Sequence, residues 1–320
     1  MLYVVGGGVC LMKDILDYYK EDLGSTDTNF FILDTKGTAT GYGDVDFVSY
    51  DWSPSKYGKV NAGDLFIYRR PQSVSEIRNS FYFFGAGRIK EIKNIGQDRV
   101  RGIIDKAISF EPYLSKTDLE KFEWEFKQRG ETWAYFFHQY GITQIKEKDF
   151  RNIIKKAYAG KEHTKIELEN ITDRVEFVQK IQNKNYFVDD RIGTSKKRSG
   201  QSTFSNEVKK NYGYECAITG MTIKEFLIGS HIIPWSENKN TRLDPQNGIC
   251  LSVLFDKAFD QGYIAIHPDL TIEVSKFIES DIILKEILMK FNGKKIKKPS
   301  FSPPKEEYLR WHYENIFKNS

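Results

Sequence analysis

An α+β chain of two domains is what this sequence predicts, with strands and flanking helices first and a compact strand–turn–strand–helix unit near the C-terminus. Three observations predict it. Short β-branched and aromatic runs punctuated by glycine fill about the first 110 residues. Residues 115–160 switch to a helical period. Residues 226–260 then place two apolar strand candidates either side of a turn and end in a helical stretch. The length of 320 residues agrees, at about 100–200 residues per domain.

The elements follow in order. Residues 2–5 form a short apolar strand ending in Gly6, Gly7 and Gly8. That glycine run is not G-x-G-x-x-G and lacks an acidic ribose partner, so it reads as a plain turn. A helix follows through Tyr19. Residues 30–33 are a second strand, and residues 65–68 a third, entered by the Gly63-Asp64 turn. Residues 81–84 are a fourth, Gly85-Ala86-Gly87 punctuates, and residues 88–92 are a fifth. Leu119, Phe122, Trp124 and Phe126 open the helical period, and Phe150, Ile153, Ile154 and Ala157 continue it. The expected boundaries are a first domain over 1–165, a polar linker over 166–197 and a second domain with its tail over 198–320. Residues 190–200, rich in Gly, Ser, Lys and Arg, carry the linker reading, and a helical stretch over 204–212 follows them.

Composition narrows the class. Apolar residues make up 40% and aromatics 14%, enough for a sizeable core. A net charge of +4 does not by itself indicate nucleic acid. The basic residues cluster, however, at Arg191, Lys196, Lys197, Arg198, Lys209 and Lys210, and again at Lys294, Lys295, Lys297 and Lys298, which suits phosphate contacts. Cys10, Cys216 and Cys250 form no C-x-x-C pair, so neither a zinc ribbon nor a disulfide framework is expected. No apolar run approaches the ~18 residues that span a bilayer. A cytoplasmic protein without a membrane partner is expected.

The chemistry sits in the last third. His231 ends the apolar run of Phe226, Leu227 and Ile228, and Pro234 opens a loop after it. Asn247 follows 16 residues on, in a turn before Gly248-Ile249-Cys250-Leu251 resumes a strand. Asp256 and Asp260, spaced i and i+4, fall on one face of a short helix over 253–260. A neutral imidazole can take a proton from water at pH 7, an Asn amide can orient the ring, and two carboxylates can hold a hard cation such as Mg²⁺ or Mn²⁺. Each residue alone has a bland explanation: a structural His, a turn Asn-Gly, a solvated Asp pair. Their order and spacing favour catalysis.

Residues 198–266 resemble an HNH, or ββα-metal, endonuclease domain of the type found in bacterial restriction-like proteins. The resemblance is carried by Arg198-Ser199-Gly200-Gln201, Phe204, Tyr212, Cys216-Ala217-Ile218-Thr219-Gly220, Ser230-His231-Ile232-Ile233-Pro234-Trp235, Arg242, Pro245, Asn247-Gly248, Leu251, Asp256-Lys257-Ala258-Phe259-Asp260 and Gly262. It implies that His231 is the general base, that Asn247 orients it, and that Asp256 and Asp260 hold the metal. Ser230, where many such enzymes have a metal-binding Asp or His, and Phe255-Asp256, where related domains often have a His, depart from the pattern. Arg198, Gln201, Lys209, Lys210 and Arg242 are the candidate DNA contacts. The buried-packing reading is preferred for Cys216 and Cys250, and His138, His163, His267 and His312 read as structural.

Trp52, Tyr57, Val60 and the run Gly63-Asp64-Leu65-Phe66-Ile67-Tyr68 resemble, less specifically, EVE-type domains of the PUA-like superfamily. The resemblance implies a small β-barrel with flanking helices that reads modified or flipped bases, with Trp52, Tyr57 and Tyr68 as pocket candidates. Arg69-Arg70 reads as a phosphate contact or a solvated strand end. The combined expectation is a restriction enzyme acting on double-stranded DNA, dependent on modified cytosine, with a homodimer a guess from symmetry. The alternatives are a sequence-specific restriction or homing-type nuclease, and a non-catalytic DNA-binding protein with a decayed HNH module.

Overall fold

The computed structural model describes residues 11–12, 14–36, 44–77, 79–125, 141–159, 166–279, 281–299 and 301–319. The expected strand over 2–5, the glycine turn after it, Cys10, Phe126, His138 and His163 lie outside them. The chain divides into two compact units, residues 1–75 with 79–179, and residues 76–78 with 180–320. Among the described residues no helix is long and apolar enough to cross a membrane.

The first unit holds β1 (Leu11–Met12), α1 (Lys20–Leu23), β2 (Phe30–Asp34), β3 (Ser49–Trp52), α2 (Pro54–Tyr57), β4 (Leu65–Arg70), β5 (Tyr82–Gly96), β6 (Arg99–Ser115), β7 (Ile142–Ile145), α3 (Glu147–Ala157) and β8 (Ile166–Glu167). A short 3-10 turn, Ile15–Tyr19, precedes α1. Six strands form one curled sheet in the order β3-β6-β5-β4-β2-β7, with β2 and β4 parallel and the other pairs antiparallel. Phe150 of α3 packs edge-on to Tyr19 at 5.7 Å and against Phe30 at 5.4 Å, closing the core behind the sheet.

One strand reading and one helix reading need correction here. The fourth and fifth expected strands are one 15-residue strand, β5, and Gly85-Ala86-Gly87 runs inside it rather than breaking it. A Cβ at Gly85 would stand 2.5 Å from the Ile108 carbonyl oxygen and from the Phe47 ring, and one at Gly87 would stand 2.8 Å from Phe66. These glycines admit close neighbours, the second meaning of glycine in a strand. Among the described residues, the helical period expected over 115–160 gives the 3-10 turn Thr117–Leu119 and the helix from Glu147; residues 126–140 lie outside the described residues.

The second unit holds the C-terminal part of α4 (Leu168–Gln182), then α5 (Thr194–Asn211), β9 (Leu227–His231), β10 (Gly248–Ser252), α6 (Val253–Asp260), β11 (Ile264–Ile266), β12 (Ile272–Val274), α7 (Ile282–Met289) and α8 (Glu306–Asn315). Helices α4 and α5 thus occupy much of the span expected as a linker. The strand ending at His231, the turn at Asn247 and the helix over 253–260 stand where the sequence places them.

Candidate active site

Strands β9 and β10 pair antiparallel, with His231 opposite Gly248 and Ser230 opposite Ile249. Helix α5 lies directly on this hairpin because two glycines let it. A Cβ at Gly229 would stand 2.6 Å from the Ser205 Cα, and one at Gly248 would stand 2.3 Å from Val208 and 2.9 Å from Phe204. The close approach brings the Phe204 ring over the His231 imidazole, stacked at 3.6 Å and 13°. Trp235 meets the other side edge-on at 5.9 Å.

The imidazole is fixed by one hydrogen bond. Nε2 stands 3.0 Å from the Arg242 carbonyl oxygen, which can only accept, so Nε2 carries the proton and Nδ1 keeps its lone pair. Burial holds the His231 pKa down at about 4, a little offset by that hydrogen bond. The ring is therefore neutral at pH 7, with a free acceptor nitrogen, as a general base requires.

Asn247 does not touch this ring. Its amide is wholly buried and bridges the loop after His231: Oδ1 accepts from the Ile233 amide at 2.8 Å, and Nδ2 donates to the carbonyl oxygens of Ile233 at 3.0 Å and Thr241 at 3.3 Å. Ring orientation comes from the Arg242 carbonyl and Phe204. Asn247 acts through the loop that carries that carbonyl.

Asp256 and Asp260 project from one face of α6. Both line a cavity with Ser230 and His231, walled by Ile228, Pro234 and Trp235. Burial raises both pKa values. For Asp256 the nearby Ser230 hydroxyl and Lys257 offset part of the rise. Asp260 is pushed up to about 6, with the charge of Asp256 adding to burial. Two partly buried carboxylates on one helix face, one of them raised further by the charge of the other, suit a cation between them. Ser230 completes the group: it is 2% exposed, it lines this cavity, and its Oγ makes no well-formed hydrogen bond beyond its interaction with Asp256. A hydrated cation held by the carboxylates would give that hydroxyl a further partner. Among the described residues no cluster of three or more His, Cys, Asp or Glu side chains is placed to hold a metal. The donors available are all oxygen, which fits Mg²⁺ or Mn²⁺.

The expected DNA contacts divide. Arg198 and Gln201 are exposed on α5. Lys209 is half-buried, and Lys210 is half-buried in an ion pair with Glu207 at 2.5 Å. Arg242 is an internal clamp, 3% exposed, and cannot reach a phosphate. It donates to the carbonyl oxygens of Trp235 and Val188, both at 2.8 Å, pairs with Asp190 at 2.6 Å, and lies over the Trp235 ring. Cys216 and Cys250 are buried free thiols, and Cys216 Sγ accepts from the amides of Ser252 and Thr219.

In the first unit two of the three pocket candidates are core. Tyr68 is 1% exposed, stacks on Phe84 at 5.0 Å and accepts a hydrogen bond from the Phe47 amide. Trp52 is 6% exposed, stacked on Tyr50 and pressed against Gly102. Only Tyr57 is partly open. Arg69 and Arg70 are likewise buried, paired with Asp34 at 2.5 Å and with Asp46. The alternation of a strand cannot say which aromatic faces a cleft, and a charged residue gives no sign that it is clamped inside.

Sequence reasoning left His312 as structural, and the fold brings it to the site. Helix α8 returns to α6, where a Cβ at Gly262 would strike the Ile316 carbonyl oxygen at 2.0 Å, so Gly262 is what admits the tail. Asp244 ties the tail down, pairing with Lys305 at 2.9 Å and accepting from the Tyr308 hydroxyl at 3.0 Å. His312 has no partner at motif spacing in the sequence, so spacing alone does not place it here.

Residues 216–267 match the family model of HNH endonucleases, and the second unit therefore carries an HNH endonuclease domain. No curated protein matches the chain. Among solved structures, a modification-dependent TagI restriction endonuclease aligns over 98% of this chain and 94% of its own, at 12% identity and a TM-score of 0.29. A superposition that loose carries no weight for fold or function.

Proposed function

We propose that this HNH endonuclease hydrolyses phosphodiester bonds of double-stranded DNA with Mg²⁺ or Mn²⁺, as a restriction enzyme against foreign DNA bearing modified cytosine. The observation that carries the nuclease reading is the convergence on one cavity of a neutral His231, two carboxylates whose pKa values are raised by burial, and the buried Ser230 hydroxyl.

In this reading, His231 Nδ1 takes a proton from the attacking water as the new P–O bond forms. The bond to the 3′ oxygen breaks, and that oxygen is protonated from solvent. Phe204 and the Arg242 carbonyl keep Nδ1 aimed at the cavity, and Asn247 keeps the loop bearing that carbonyl in place. Asp256 and Asp260 would hold the cation, which when bound offsets charge on the phosphate and on the departing oxygen. Arg198 and Gln201 on the exposed side of α5 would meet the DNA backbone.

The first unit is assigned to base reading by its resemblance to EVE-type domains, with Tyr57 as the aromatic best placed to meet an extruded base. Cutting both strands at one site calls for two active sites, hence a homodimer. The test is digestion of matched DNAs containing cytosine, 5-methylcytosine or 5-hydroxymethylcytosine, with Mg²⁺ or Mn²⁺. Cleavage confined to a modified DNA is the expected result. Equal cleavage of all three would assign the enzyme to the sequence-specific class, and no cleavage of any would remove the nuclease reading.

A further inference from the structure

The second unit contains two imidazoles built alike. The His231 ring lies flat on Phe204 at 3.6 Å and 13°, with Nε2 donating to a backbone carbonyl at 3.0 Å. The His312 ring lies flat on Phe259 at 3.7 Å and 2°, with Nε2 3.0 Å from the Phe259 carbonyl oxygen. In each the carbonyl fixes the proton on Nε2 and leaves the Nδ1 lone pair without a protein donor. Both rings line one cavity of about 230 Å³, together with Asp260, Gln261, Pro234 and Ile316. His312 is 2% exposed and is among the residues that line this cavity.

We infer that His312 is a positioning residue of the cleavage site, its Nδ1 accepting a hydrogen bond from a water of the divalent cation held at Asp256 and Asp260. The assignment rests on the cation reading above. Mg²⁺ and Mn²⁺ sites built on a few carboxylates keep several waters, and each such water presents protons that need acceptors. Asp260 lines this cavity together with both imidazoles. His231 is assigned to the attacking water, and the acceptor remaining is His312 Nδ1. The stack on Phe259 places the ring beside the last turn of α6, next to Asp260 in sequence. Outer-shell partners of this kind change metal affinity by roughly 10–100-fold when removed.

The test is Mn²⁺ binding to the full chain by calorimetry, in wild type, His312→Phe, His312→Gln and Asp260→Ala. His312→Phe keeps a flat ring for the stack but has no acceptor, and should weaken Mn²⁺ binding about 10-fold. His312→Gln supplies an amide donor for the Phe259 carbonyl and an acceptor oxygen, and should stay within about 3-fold of wild type, by the same outer-shell argument. Asp260→Ala should lose binding. Wild-type affinity in a folded His312→Phe protein, with Asp260→Ala defective, would overturn the role of His312 alone. Wild-type affinity in Asp260→Ala would overturn the cation site and His312's role together. If His312→Phe does not fold, the ¹⁵N resonance of His312 Nδ1 in the wild-type protein decides. Added Mg²⁺ should move it upfield, as acceptance of a hydrogen bond requires, and a resonance that Mg²⁺ leaves unmoved would overturn the inference.

Discussion

Replacing Asp260 by Asn should make the metal-free protein more stable while removing its response to metal. The Asp260 carboxyl has its pKa pushed from 3.8 to about 6 by burial and by the charge of Asp256. A raised folded-state pKa means that the folded protein holds this proton more tightly than the unfolded chain does. The resulting stabilisation is fully present below pH 3.8 and is lost as pH rises through about 6. At pH 7 the ionised carboxylate is therefore a burden on the apo fold. A shift of about two units corresponds to ~3 kcal/mol at 1.36 kcal/mol per unit. Asp260 is solvent-exposed where it lines the cavity, and solvent screening reduces this to about 1 kcal/mol. Urea melts in EDTA should show Asp260→Asn more stable than wild type by about that amount at pH 7, with the gap closing below pH 4. Mg²⁺ at ten times its Kd should then stabilise wild type by ~1.4 kcal/mol and leave the variant unchanged. Loss of stability in the apo variant at pH 7, or an equal Mg²⁺ response in both proteins, would refute the reasoning.

Further outcomes follow from the same geometry. Because burial holds His231 at about pKa 4, the base is already deprotonated at pH 6, and cleavage at saturating Mn²⁺ should be nearly flat from pH 6 to 8. A pH–rate profile falling with an apparent pKa near 6.5 would contradict a buried neutral base. Arg242→Ala should cost at least ~2 kcal/mol in a denaturant melt, since it strands the carbonyls of Trp235 and Val188. Arg198→Ala should stay within ~0.5 kcal/mol and lower the salt slope of DNA binding by about one. Reversal of the two would return Arg242 to the DNA surface. Trp52→Ala should destabilise the first unit by ~3–5 kcal/mol as a core truncation, and a stable variant that changes only substrate preference would make Trp52 a pocket wall after all.

The parts of this molecule that a reader of the sequence can place are those whose logic is local. The strand ending at His231, the turn at Asn247 and the helix holding Asp256 and Asp260 follow from spacing over thirty residues, and the fold has them there. What the sequence hides is set by partners far along the chain. His312 reaches the site only because Gly262 admits the tail and Asp244 ties it down, contacts that no periodicity announces. Arg242, Arg69 and Arg70 look like phosphate contacts because charge is normally solvated, yet each is buried against specific acceptors. Gly85 and Gly87 look like a turn because a missing side chain can mean either free torsions or a close neighbour, and only packing distinguishes the two. The motif that Asn247 stands in points its amide to the His231 ring, whereas the amide spans the adjoining loop.

The central claim is that His231 Nδ1 is the base of a metal-dependent phosphodiesterase site. It is tested most directly by single-turnover cleavage of plasmid DNA with Mn²⁺, comparing wild type with His231→Ala in preparations matched for fold by thermal melting. The account predicts a rate lower by ~10²–10⁴-fold in the variant, with DNA binding preserved. A folded His231→Ala protein that cuts at the wild-type rate would contradict it.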